Sequence, residues 1–118
     1  MSFFRAVFRA RSDVVPDGGD IGRRVPVATV PDGGSYTIAD AVNPVAVHTI
    51  ESEHASDLLL VEVNGVLFVV DIYNQGLPIT PDADPIRPRV QELGLDIDLI
   101  AGGHGGLIAW DDFVALLP

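Results

Sequence analysis

The chain has 118 residues, 47% hydrophobic and 20% charged, which suits one packed domain burying roughly two-thirds of the surface its unfolded form exposes. Its formal net charge is -10 and every basic residue is arginine, so a polyanion is repelled over most of the surface and nucleic acid is excluded as a partner. With no cysteine there is neither a disulfide framework nor a thiolate metal site, and no apolar run approaches the roughly 20 residues of a membrane span.

The opening segment MSFFRAVFRARSD sets arginines among its aromatics instead of ahead of an apolar stretch, so it is not read as a signal peptide, and a cytoplasmic location is expected. Phe3, Phe4, Val7 and Phe8 recur at helical spacing with Arg5 and Arg9 on another face, which predicts a short amphipathic helix. Pro16, Gly18, Gly19 and Gly22 then mark a loop. Pro-Asp-Gly-Gly occurs at 16–19 and again at 31–34; both copies fit a turn with proline at its second position better than they fit a duplication. Residues 1–34 are therefore read as an N-terminal arm and 35–118 as the folded body.

From Ser35 the pattern becomes regular. Tyr36 to Ile38 is β-prone, Asn43-Pro44 turns, and Val45, Val47 and Thr49 alternate with Ala46, His48 and Ile50 as a half-buried strand does. Two nearly continuous apolar runs, 58–63 and 66–70, are joined by Asn64-Gly65, a strong hairpin signal. Continuous apolarity implies burial on both faces, and the helices expected at 87–93 and 110–117 are the available covers. Between them, 97–101 reads as a strand leading into Gly102-Gly103-His104-Gly105-Gly106. The expected class is α/β (α+β), a mixed sheet with covering helices.

Three polar residues stand where strands end. Asp71 closes the run 66–70, where a carboxylate either binds a cation or turns the chain and accepts backbone hydrogen bonds. His104 has two glycines on each side, which frees the backbone to bring the ring forward; a phosphate loop is not indicated, because no Lys followed by Ser or Thr is present. His54 precedes a strand, and by itself reads equally as a solvated histidine. Together, two imidazoles and a carboxylate are a ligand set suited to zinc or a similar divalent ion.

The stretch HTIESEHASDLLLVEVNGVLFVVDIYNQG resembles the central segment of metallo-β-lactamase-fold proteins, in which a ligand histidine opens a strand, a hairpin follows, and the next strand ends in a metal-bridging aspartate. The stretch VQELGLDIDLIAGGHGGLIAWDDF resembles the closing motif of that family, where a Gly-His-Gly turn delivers the last ligand. With SYTIADAVNPVAVHTI, similar to the preceding strands, the resemblance covers about residues 35–118. It implies His54, Asp71 and His104 as metal ligands. In the complete family two metals about 3.5 to 4 Å apart acidify a bridging water, with the first of these ligands on one metal, the last on the other and the aspartate on both. The His-x-His-x-Asp-His loop of the family is missing, since the only histidines are His48, His54 and His104, and His48 matches no ligand.

The resemblance thus implies the C-terminal half of an αββα sandwich: a truncated metal-dependent hydrolase domain, not catalytic alone, with a weak mononuclear zinc or other divalent site. Half a sandwich leaves an apolar sheet face open, so self-association is expected first, with a complementary N-terminal half or the arm 1–34 as other covers. A non-catalytic partner-binding or self-associating module without metal is the alternative. Tyr73, Asn74 and Gln75 are read either as lining a substrate pocket or as plain loop, and 76–88 as a rim, a disordered stretch or a simple crossover.

Overall fold

A computed structural model describes residues 27–118; the helix expected at 3–9, the loop 12–24 and the first Pro-Asp-Gly-Gly copy lie outside the described residues. Six strands form one sheet in sequence order: β1 (Ser35–Ile38), β2 (Val45–Ile50), β3 (Leu58–Val63), β4 (Val66–Phe68), β5 (Leu99–Ala101) and β6 (Leu107–Ala109). All neighbours are antiparallel except β4 and β5, which run parallel and are connected through the helix α1 (Ile86–Leu93). A second helix, α2 (Trp110–Leu116), follows β6 directly. The architecture is α+β with a mixed sheet, as expected.

The β3–β4 hairpin turns at Asn64 and Gly65 with φ of 48° and 81°, the left-handed pair that this dipeptide tolerates. Three differences from the sequence reading stand out here. The run 66–70 is strand only to Phe68, because Val70 takes φ 49° and the chain enters a single 3-10 turn at Val70–Ile72. β6 was not expected at all; its three residues are too few to show a period, and only pairing with β5 makes them a strand. The turn at 31–34 also differs: Gly34 N–H donates to Pro31 O, so the proline stands first in the turn, not second.

Side chains alternate across the sheet, and the core lies on one face. Leu60, Leu67 and Ile100 are fully buried there, together with Ile86 of α1 and Phe113 of α2. Pro88 sits in the first turn of α1, where its missing N–H removes no helical bond, and Val90 completes the buried stripe of that helix. Both helices pack into this one cluster, so they cover the same face, and the expectation that they supply the second cover is overturned.

The opposite face is apolar as well. Tyr36, Val47, Val61, Phe68, Ala101 and Leu107 are successive cross-strand partners in one unbroken row through all six strands. Ile38, Val45, Val63, Val66, Leu99 and Ala109 make a second row beside it. Phe68, on an interior strand, is 42% exposed, which places open surface at the middle of the face and not merely at its margins.

At the β1 edge, Arg89 of α1 ties the turn at 31–34 to the sheet. Its Nε donates to Thr49 O at 2.8 Å and its Nη2 to Gly33 O at 3.1 Å. The loop expected at 76–88 is a crossover only to residue 85, because α1 begins at Ile86; it contains a 3-10 turn at Pro81–Ala83, and Ala83 is fully buried.

Candidate metal centre

Parallel strands that lie side by side end on the same edge of the sheet, and the carboxyl ends of such strands are where α/β folds commonly place ligands. Phe68 of β4 and Ala101 of β5 are register partners, and Asp71 and His104 each follow three residues later. The register alone therefore delivers an aspartate and a histidine to one place, with Asp71 Oδ1 3.9 Å from His104 Nε2.

The two loops are held together by their backbones. Val69 N–H donates to Ala101 O, Gly103 N–H to Val70 O, His104 N–H to Asn74 Oδ1 at 2.8 Å and Gly106 N–H to Gln75 Oε1 at 2.7 Å. The glycines permit this contact chiefly by lacking a side chain: a Cβ on Gly102 would lie 2.0 Å from Tyr73 O, and one on Gly103 would lie 2.8 Å from Asp71 Oδ1. Positive φ, the reason expected from the sequence, applies within this loop only to Gly105. Asn74 and Gln75 thus act as amide acceptors for the glycine loop. Tyr73 is buried edge-on against Phe113, with ring centroids 4.9 Å apart. The signal for the two amides was the loop itself, since a glycine run exposes backbone N–H groups that need acceptors.

Val70 carries the local strain. A β-branched residue at φ 49° is a genuine outlier, costing about 1–2 kcal/mol, and it lies immediately before Asp71. The bond from Gly103 N–H to its carbonyl helps to hold it there. The Asp71 side chain is 52% exposed and that of His104 81% exposed, so neither incurs the burial cost considered for the aspartate, and both are open to a ligand from solvent.

The third expected ligand lies in other company. His54 Nδ1 is 3.7 Å from Asp82 Oδ2, and the His54 backbone N–H donates to Ser52 Oγ, whose hydroxyl donates to Asp82 O. Among the described residues no three histidine or carboxylate side chains converge to hold a metal ion. Asp71 and His104 fit as a two-donor half-site: ligand bonds of about 2.0 Å at a tetrahedral angle place the two donor atoms roughly 3.3 Å apart, a closure of about half an ångström for exposed side chains. His48 is no ligand. Its ring is buried on the core face, with Nδ1 hydrogen-bonded to Ser35 Oγ and Nε2 without a hydrogen-bond partner among the described residues.

A cleft of about 570 Å³ opens elsewhere, beside Arg89, with Asp32, Glu51, Asp57 and Glu92 on its walls; none of His54, Asp71 and His104 lines it. No helix among the described residues is long and apolar enough to cross a membrane. No protein-family model matches the chain, and no curated protein matches it.

Proposed function

We propose that the chain is a metallo-β-lactamase-like half-domain that retains part of a divalent-metal site and is not catalytic alone. The observation that carries this reading is the pairing of Asp71 with His104 at 3.9 Å, on two loops whose contact depends on glycine. A divalent ion in such a site acts as a Lewis acid, acidifying water and polarising a substrate oxygen. What the chain itself supplies is one carboxylate and one imidazole, held at the ends of β4 and β5 and open to solvent; two protein donors completed by water make a weak site. His54 is the third donor only if it leaves Asp82.

Titration calorimetry of the full chain with zinc tests the proposal. One zinc per chain, lost on Asp71→Ala and on His104→Ala, is the expected result, and equal binding by wild type and His104→Ala refutes it. A further loss on His54→Ala adds that residue to the site, whereas unchanged binding leaves it with Asp82. A self-associating module without metal is the second reading, favoured by the apolar outer face of the sheet.

A further inference from the structure

We infer that the chain pairs with a second copy of itself through the outer face of the sheet, the two apolar rows stacking on their counterparts about a twofold axis. The inference rests on the sheet alone and stands whether or not Asp71 and His104 bind metal. A sheet face left to water is ordinarily polar, alternating with a buried apolar one. Here the twelve positions of the two rows include no charged residue, in a chain that is 20% charged.

The lack of charge argues for a second copy as the occupant. Two chains of net charge -10 repel one another, yet a twofold contact sets like against like only within the patch, where there is nothing to repel. Six strands at about 4.8 Å spacing and two rows about 7 Å apart give a face of roughly 400 Å². Stacked on itself it buries on the order of 800 Å², more once flanking side chains join, near the lower limit of about 1,000 Å² for a specific pair. The dimer is therefore weak and concentration-dependent.

Sedimentation equilibrium of the full chain is the test. The mass should rise with concentration from 12.5 kDa toward twice that value, and added salt should raise the dimer fraction by screening the repulsion between acidic chains. Val61→Lys, which sets two ammonium groups into the centre of the contact, should weaken the dimer by more than about a hundredfold. Gln91→Lys on the exposed side of α1 should change it by less than about threefold. If circular dichroism shows that Val61→Lys is unfolded, Leu107→Glu at the exposed edge takes its place. A wild-type mass fixed at 12.5 kDa at every concentration and salt overturns the inference, assigning the face to residues 1–26 or to an unlike partner. A dimer that survives the charge substitution overturns it too.

Discussion

Gly102→Ala places one methyl group where two backbones meet. The new Cβ would lie 2.0 Å from Tyr73 O and 2.9 Å from Asn74 Cα, and neither is the movable end of a flexible side chain. Reaching an ordinary contact of 3.4 Å from the carbonyl requires the loops to separate by 1.4 Å (3.4 less 2.0). A shift of that size stretches the neighbouring bond from His104 N–H to Asn74 Oδ1, 2.8 Å in the native loop, beyond hydrogen-bond range. Overpacking of this kind costs about 1–3 kcal/mol, and each weakened hydrogen bond adds about 1 kcal/mol, so a loss of roughly 2–4 kcal/mol is expected. Urea unfolding should show a lower midpoint at unchanged slope. The same separation moves His104 from Asp71, so zinc binding, where wild type has it, should weaken in the variant under conditions where it remains folded. A wild-type midpoint for Gly102→Ala would refute the argument, because it would mean that residues 102–106 do not rest on residues 70–75.

Arg89→Ala should cost about 2–4 kcal/mol, since a guanidinium only 12% exposed donates to Thr49 O and Gly33 O, and Arg89→Lys should recover little because an ammonium cannot reproduce the fork. The ion pair to Glu92, 69% exposed, is worth little, and Glu92→Ala should shift the urea midpoint by less than about 0.5 kcal/mol equivalent. Burial first, and then the charge of Arg89, holds His48 below its ordinary value of 6.5, with Glu62 pulling the other way. The unfolded imidazole therefore takes up its proton before the folded one as pH falls; this contribution to stability is complete above about pH 6.5 and declines below it, and the decline should be shallower in His48→Leu when urea midpoints are compared across that range. Asn74→Ala removes the acceptor of His104 N–H at an exposed loop and should cost about 1 kcal/mol or less by the same unfolding assay.

Local signals in the sequence carried the parts of the fold that local chemistry decides. Asn64-Gly65 announced its hairpin because both residues tolerate positive φ, and the helices expected at 87–93 and 110–117 fall within a residue of their observed ends. What pairing decides was not legible. Leu107–Ala109 has no period to read, and the early stop of β4 depends on Val70 accepting a conformation its own side chain disfavours. Continuous apolarity in β3 showed that both faces of the sheet are apolar, but not that both helices choose the same one. For the site, Asp71 and His104 were singled out as strand-end residues and the sheet register does bring them together. His54 sits on a loop whose course no strand fixes, and its partner Asp82 comes from a crossover that the sequence left as a rim or a plain connection.

The apolar face and the approach of Asp71 to His104 depend on one feature, the in-register parallel pairing of β4 with β5. The row through Tyr36 and Leu107 passes across Phe68 and Ala101, the last residues of those two strands and the points from which both loops depart. A slip of one residue between them would turn the outward row of one strand toward the core, since side chains alternate with a period of two. The same slip would offset Asp71 and His104 by about 3.3 Å along the sheet and remove the backbone bonds that bind their loops. A change of register would therefore abolish both arrangements at once, and Asp71 and His104 stand on the rim of the face proposed for pairing. A sequence that kept Asp71 and His104 but lost the match between Phe68 and Ala101 would lose the contact between its loops, however well the rest of the core was packed.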